Sequence, residues 1–150
     1  MINVMFVCLG NICRSTMAEF VCKDMIKKAN LQDKFFIASS ATSRYEIGSP
    51  VHHGTAKKLR EHGIGCAGKR AVQLKKSDYN DFDYIIGMES ANIDAIINLL
   101  GHSDYSNKVC RLLDYSSNPR DIADPWYTGD FDATYNDVVE GVTAFLSSIK

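Results

Sequence analysis

The sequence has no excess of charge of either sign and no long hydrophobic run. Its 17 lysines and arginines are matched by 18 aspartates and glutamates, whereas a protein that binds nucleic acid without sequence preference usually carries a basic excess. No apolar segment approaches the roughly 20 residues that a membrane-spanning helix needs. We therefore expect neither a nucleic-acid partner nor a membrane partner.

The sequence also lacks a charged leader, a signal cleavage site and a regular cysteine framework. Its five cysteines are an odd number at irregular spacing, unlike the disulfide patterns of small secreted domains. These features predict a protein of the reducing cytoplasm without structural disulfides. Internal repeats, low-complexity stretches and linkers are absent too, so residues 1–150 are predicted to form one domain.

Short apolar runs alternate with helical patterns along the chain. Apolar runs predict strands at residues 2–8, 34–40, 83–88 and 108–113, and apolar residues at helical spacing predict helices between and after them. This alternation predicts right-handed crossovers and a single three-layer α/β domain, with helices on both faces of a parallel sheet. We expect the flavodoxin-like, doubly wound strand order 2-1-3-4. The predicted helices cover residues 14–29, 51–62, a segment ending at residue 100, and the region after the loop 114–130.

Ligands of such folds bind beyond the carboxyl ends of the strands. Two loops open at that edge, residues 8–15 after the first strand and residues 114–130 after the fourth. Chemistry is therefore expected where these two loops meet.

The first of these loops leads from a strand into a helix. A helix N-terminus has unpaired N–H groups and a partial positive charge that attract anions. Gly10 and Asn11 are residue types that adopt positive φ, so the chain can curl and direct its N–H groups inward. Arg14 can bind two phosphate oxygens at once. The loop is thus predicted to hold inorganic phosphate, another oxyanion or a phosphoryl group, and its residues are Cys8, Leu9, Gly10, Asn11, Ile12, Cys13, Arg14 and Ser15.

The same surroundings act on the Cys8 sulfur. A thiol that faces a helix N-terminus and an arginine loses its proton more readily, so Cys8 is expected to be a thiolate nucleophile that accepts a hydrogen bond from Ser15. A lone cysteine is most often a buried core residue, but the strand, turn, arginine and helix around Cys8 favour the nucleophile. The loop lacks the second glycine and the lysine of a Walker loop. Zinc bound by Cys8 and Cys13 is disfavoured because no second ligand pair follows and Arg14 would repel a cation; we expect no metal and no cofactor.

A general acid helps to expel an alcohol or phenol from phosphorus. Asp124, in the loop 114–130, is the candidate. By itself an aspartate before Pro125 is equally consistent with a turn. Asp121 and Asp130 of the same loop are interpreted as solvated acids.

Together these motifs resemble the low molecular weight protein tyrosine phosphatase family. The resemblance rests on Cys8, five further residues and then Arg14-Ser15, on ATSRYEIG at 41–48, and on the late pair Asp124-Pro125, at spacings that cover essentially the whole chain. It implies an enzyme that hydrolyses phosphotyrosine in proteins, and aryl phosphates, through a phosphocysteine intermediate. In that mechanism Cys8 is the nucleophile, Arg14 and the loop amides bind phosphate, and Asp124 is the general acid and then the base.

The resemblance also implies a substrate pocket and a redox pair. Ile12, Tyr45 and Trp126 match the apolar and aromatic pocket wall of the family, and Tyr127 lies beside them. Cys13 matches a residue that closes a reversible disulfide with Cys8 and protects it from over-oxidation. We expect a phosphotyrosine-containing protein as substrate, and a monomer or weak dimer.

The sequence departs from the family pattern at three positions. Trp126 stands where a tyrosine is common, and Lys69 and Val72 stand where many relatives carry a histidine and an arginine. The shape of the pocket wall and the support of the phosphate loop are therefore expected to differ. The four histidines and the three cysteines outside the loop are interpreted as helix-face, loop or core residues: His52, His53, His62, His102, Cys22, Cys66 and Cys110.

Three other functions remain open. Some relatives act on phosphoarginine and carry threonine at the position of Ile12. Arsenate reductases have a similar loop and fold but need further cysteines, and residues 67–109 contain none. A non-catalytic phosphate-binding module would need neither the thiolate of Cys8 nor the acid of Asp124.

Overall fold

The four strands form one parallel sheet. The computed structural model describes residues 1–149, and its strands are β1 (Ile2–Cys8), β2 (Phe35–Ala41), β3 (Tyr84–Gly87) and β4 (Val109–Arg111). They lie in the order β2-β1-β3-β4, and all three neighbouring pairs are parallel. The predicted fold class and strand order are confirmed.

Helices cover both faces of this sheet. One face packs against α1 (Arg14–Lys28), α2 (His53–Glu61) and α6 (Phe131–Ser148), and the other against α3 (Asp78–Asp81) and α4 (Ser90–Leu100). A one-turn helix, α5 (Pro125–Thr128), precedes α6. Within residues 1–149, no helix combines the length and the apolar character needed to cross a membrane.

Strand β1 lies at the centre and is buried on both sides. Val4 and Phe6 pack into the core beneath α1 and α6, while Met5 and Val7 pack into the core beneath α4. A strand buried on two faces needs apolar residues at successive positions, which explains the continuous apolar run of the sequence. The strand ends at Cys8, on the carboxyl edge of the sheet.

The fourth strand is shorter than predicted. The chain turns at Leu112–Tyr115 into a 3-10 helix, and the Asp114 carboxylate accepts the Arg111 N–H at 2.8 Å. Successive strand residues point to opposite faces, whereas the turn lets Leu112 and Leu113 both enter the core. Burial of two adjacent leucines therefore ends the strand early.

Two further differences lie in segments near the carboxyl edge. The helix predicted over residues 51–62 begins at His53, because the His52 side chain accepts the Gly54 N–H and caps it. The loop 114–130 contains α5, which Asp124 caps in the same way. The one-turn α3 was not predicted, since four residues show no helical periodicity.

Candidate active site

The loop between β1 and α1 is curled around the side chain of Asn11. Asn11 is fully buried and has a φ of 58°. Its amide group donates to Ser15 Oγ at 2.8 Å and to Ser39 Oγ at 2.9 Å, and its oxygen accepts the Val72 N–H at 3.1 Å. Gly10, the other residue predicted to favour positive φ, does not have it. Asn11 thus provides the left-handed turn and ties the loop to two other segments.

The Cys8 sulfur receives hydrogen bonds from this loop. Ser15 Oγ lies 3.0 Å from Cys8 Sγ, and the Asn11 N–H donates to the sulfur at 3.3 Å. Because Ser15 Oγ already accepts a bond from the Asn11 amide, its own proton is available to the sulfur. Two donors of the loop, the Ser15 hydroxyl and the Asn11 N–H, are thus directed at this one sulfur.

The support of Asn11 extends behind the loop into a charged pair. Ser39 Oγ donates to the carboxylate of Glu19, which is buried and lies 3.7 Å from the Lys69 ammonium. Lys69 also donates to the Ser39 carbonyl at 2.9 Å, and burial lowers the pKa of this lysine. Lys69 and Val72, two of the three departures noted in the sequence, therefore both contact the support of the phosphate loop.

Arg14 is almost completely buried and is fixed from three sides. One terminal nitrogen donates to Glu89 at 2.6 Å and to the Ile122 carbonyl at 2.9 Å, and the other donates to Asp124 at 3.2 Å. These partners follow β3 and β4, at the same edge as Cys8. Sequence reasoning missed Glu89, although its position directly after a predicted strand was a usable signal.

Asp124 caps α5 and faces the site at the same time. One carboxylate oxygen accepts the Trp126 N–H at 3.0 Å, and the other is bonded to Arg14. The turn interpretation and the site interpretation of Asp124 are therefore compatible. The other acids of this loop lie elsewhere: Asp121 pairs with Arg111 at 3.0 Å, and Asp130 caps α6.

These groups surround a pocket of about 230 Å³. Cys8 and Arg14 contribute to it from the phosphate loop, and Asp124 from the segment after β4. Tyr45, Trp126 and Tyr127 are highly exposed side chains on the wall. The full lining consists of Cys8, Leu9, Gly10, Ile12, Cys13, Arg14, Tyr45, Glu46, Asp124, Trp126 and Tyr127. All four predicted wall residues are present, and Glu46 is a carboxylate that the sequence did not reveal as a pocket residue.

The second loop cysteine differs from the first. Cys13 lines the pocket but is buried, and burial followed by the nearby Cys8 raises the pKa of its thiol to about 12. A thiol with this pKa stays protonated at neutral pH. All five cysteines are free, and in the described part of the chain no three acidic, histidine or cysteine side chains are grouped to hold a metal ion.

Comparisons with known proteins identify the family of the chain. A family model described as low molecular weight phosphotyrosine protein phosphatase matches residues 3–150. The chain is 41% identical to the low molecular weight protein-tyrosine-phosphatase YfkJ of Bacillus subtilis, over 100% of this chain and 97% of that protein. It is 37% identical to PtpA of Staphylococcus aureus, over 99% and 94% of the two chains.

Solved structures give the same result. The crystal structure of YfkJ matches with a TM-score of 0.95 over 99% of this chain and 94% of that one. A Drosophila arginine phosphatase, 27% identical, matches with a TM-score of 0.88 over 98% and 97% of the two chains. The chain therefore belongs to the low molecular weight phosphotyrosine protein phosphatase family and is a phosphatase of the protein tyrosine class.

Proposed function

We propose that this protein hydrolyses phosphotyrosine in proteins, and aryl phosphates, through a phosphocysteine intermediate on Cys8. The observation that carries the proposal is the placement of the Cys8 sulfur, which accepts bonds from Ser15 and Asn11 inside a pocket that also contains Arg14 and Asp124. A nucleophile, an anion-binding loop and an acid are thus available in one small volume. The family match over residues 3–150 supports one phosphatase domain across the whole chain.

In the first step the Cys8 thiolate attacks phosphorus and the bond from phosphorus to the leaving oxygen breaks. The protonated Asp124 gives its proton to that oxygen, so the phenol leaves neutral. The loop N–H groups and the Arg14 guanidinium stabilise the charge on the transferring phosphoryl group. Ser15 donates to the sulfur before the attack and is available to do so again when the sulfur leaves.

In the second step water replaces the cysteine. Asp124, now a carboxylate, takes a proton from the water as its oxygen attacks phosphorus, and the bond from sulfur to phosphorus breaks. The products are inorganic phosphate and the regenerated thiolate.

The contacts of Arg14 suggest how Asp124 is released for this task. Arg14 pairs with Asp124 at 3.2 Å and with Glu89 at 2.6 Å. A bound phosphate dianion compensates the guanidinium charge, which weakens the longer pair with Asp124. Glu89 then holds the guanidinium while Asp124 turns to the leaving oxygen.

The pocket wall favours an aromatic leaving group. Ile12, Tyr45, Trp126 and Tyr127 offer apolar and aromatic surface to a phenyl ring. A second candidate substrate is phosphoarginine, because the Glu46 carboxylate lines the same pocket and is suited to a guanidinium, and because one structural neighbour is named an arginine phosphatase. Arsenate reduction ranks last, since residues 67–109 supply no relay cysteine.

Three secondary features belong to the same proposal. Cys13, which lines the same pocket as Cys8, is the partner for a reversible disulfide that forms after peroxide oxidises the Cys8 sulfur to a sulfenic acid, and so protects the nucleophile. The protein acts in the cytoplasm, where its five free thiols stay reduced. It acts as a monomer or weak dimer on phosphoprotein substrates.

The test is hydrolysis of p-nitrophenyl phosphate, phosphotyrosyl peptides and phosphoarginyl peptides in the presence of a chelator. We expect activity on the first two, its loss in Cys8→Ser, and trapping of a phosphocysteine in Asp124→Ala. Asp33→Ala is the control, because that aspartate is exposed, precedes β2 and does not line the pocket. Normal turnover by Cys8→Ser would refute the mechanism, and a preference for the phosphoarginyl peptide would select the second substrate.

A further inference from the structure

His52 connects the phosphate loop to the start of α2. Its backbone N–H donates to the Ile12 carbonyl at 2.9 Å. Its Nδ1 atom accepts the Gly54 N–H at 3.0 Å and so caps the helix. Both contacts fix the position of the imidazole ring beside the pocket.

The ring of His52 also contacts two aromatic residues that follow Asp124 in the chain. The imidazole and Trp126 form an edge-to-face pair at a centroid distance of 5.6 Å and an angle of 73°, and Phe131 stacks on the imidazole at 5.4 Å and 16°. Residues 124–131, which we call the acid segment, thus contact the imidazole through Trp126 of α5 and through Phe131, the first residue of α6. Asp124, the first residue of the acid segment, accepts a hydrogen bond from Arg14 of the phosphate loop.

Gly54 makes this stacking possible. A Cβ atom built on Gly54 would overlap the ring of Phe131. A larger residue would therefore push Phe131, and with it the end of the acid segment, away from His52. The stacking of His52 on Phe131 therefore depends on the imidazole at residue 52 and on the lack of a side chain at residue 54.

The neutral ring is the form that makes these contacts. Nδ1 must carry a lone pair to accept the Gly54 N–H, and burial followed by the adjacent His53 lowers the pKa of His52. The charged groups that face the ring from other segments are Asp124 on the acid segment and Glu46 on the loop after β2, and both act in the opposite direction.

We propose that His52 is a positioning residue whose ring holds the acid segment, and with it Asp124, over Cys8. The proposal rests on the proposed function, because Asp124 is the group being positioned. The bond of His52 to the phosphate loop is made by its backbone N–H, which every side-chain variant keeps, so the effect of the ring should appear only where the acid matters. Removal of the ring breaks a stack on His53 and two aromatic pairs with the acid segment. Each of the latter two changes the population of the correctly placed segment by a factor of a few.

The test separates the cap from the ring. His52→Asn keeps a capping acceptor and removes the ring, whereas His52→Phe keeps a ring and removes the cap. Phenyl phosphate has a poor leaving group that needs the acid, and 2,4-dinitrophenyl phosphate has one that does not. For His52→Asn we expect kcat/KM to fall about tenfold on phenyl phosphate and about twofold or less on the dinitrophenyl ester; His52→Phe should retain most of both activities.

His62→Asn is the matched control. His62 lies at the other end of α2 and stacks on Tyr135 of α6 at 4.0 Å, so it makes the same kind of contact away from the acid segment. We expect this variant to leave the ratio of the two kcat/KM values unchanged. Equal loss on both esters in His52→Asn, or the same selective loss in His62→Asn, would overturn the proposal.

A second measurement does not depend on activity. Trp126 is the single tryptophan of the chain, so its time-resolved fluorescence anisotropy reports the motion of the acid segment. We expect faster local depolarisation in His52→Asn and in Gly54→Ala, and unchanged anisotropy in His52→Phe and His62→Asn. Unchanged anisotropy in both of the first two variants would overturn the proposal. If the wild-type protein hydrolyses neither ester, the proposed function fails, and the anisotropy still decides whether His52 holds the acid segment.

Discussion

Replacement of Asn11 by alanine tests whether the phosphate loop is held by one buried amide. Alanine removes three side-chain hydrogen bonds, to Ser15, Ser39 and the Val72 N–H. It also places an alanine at a φ of 58°, where an ordinary side chain is strained. Both effects lower the free energy of unfolding, and the first also leaves the Ser15 hydroxyl free to turn away from the Cys8 sulfur.

The expected loss of stability is about 4 kcal/mol. Each buried hydrogen bond contributes about 1 kcal/mol net, and the left-handed conformation costs alanine about 1 kcal/mol. Domains are stable by roughly 5–15 kcal/mol, so the variant should still fold at 25 °C. For a chain of this size the melting temperature should fall by about 8–16 °C.

Asn30→Ala is a matched control for the backbone contribution. Asn30 has a φ of 57° but is exposed at the end of α1. Its replacement should cost only the strain, about 1 kcal/mol. The difference between the two variants, about 3 kcal/mol, then measures the buried amide contacts. Asn11→Gly should recover only part of the loss, because glycine relieves the strain but has a more flexible unfolded chain.

The assay is urea unfolding of the three variants, combined with kcat/KM on an aryl phosphate. We expect Asn11→Ala to lose activity in excess of Asn30→Ala, which should be as active as the wild-type protein. Equal destabilisation by Asn11→Ala and Asn30→Ala would refute the argument that the Asn11 side chain holds the loop. A destabilised but fully active Asn11→Ala variant would show that the Asn11 contacts stabilise the fold but are not needed for catalysis.

Two further predictions concern the core. Burial raises the pKa of Cys22 to about 12 from 9.0, so above pH 9 the unfolded chain loses a proton that the folded chain retains, and stability falls as pH rises towards 12. In urea unfolding at pH 9 to 10.5, Cys22→Ala should show a mean slope shallower by about 1.1 kcal/mol per pH unit; identical slopes would contradict the shift. Gly141 lies so close to Leu112 that a Cβ would be 2.5 Å from its Cγ atom. Overpacking should outweigh the gain of about 1 kcal/mol in helix propensity, so Gly141→Ala should lower the free energy of unfolding by about 1 kcal/mol, and a stabilised variant would contradict the close approach of α6.

The sequence was informative about the phosphate loop because its chemistry is local. Cys8 and Arg14 lie within one short segment between a strand and a helix, and the placement of both follows from that arrangement. The apolar run of β1 and the helical periodicity of α1 also needed only neighbouring residues. The role of Asp124 was harder to predict, because its residue type and position are equally suited to a helix cap, and it does cap α5.

The sequence was less informative about long-range partners. Glu89 lies 75 residues from Arg14, and Glu19 supports the loop through Ser39, so neither contact can be read from spacing. His52 was interpreted as a helix-face or loop residue, because a single sequence does not show which aromatic rings will contact it. The early end of β4 depends on the burial of Leu112 against α6, which only tertiary packing determines.

The parallel register of the sheet explains why these distant residues meet. Cys8 follows Val7, which is aligned with Gly87 of β3, and Gly87 is aligned with Arg111 of β4. Glu89 therefore emerges two residues beyond the same line at which the phosphate loop begins. A shift of two residues between β1 and β3 would move Glu89 by roughly 6.6 Å, too far for its 2.6 Å bond to Arg14. One register of the strands thus buries the apolar core and also brings Glu89 to Arg14. A mutation that shifted this register would therefore disturb the core and the arginine contacts together.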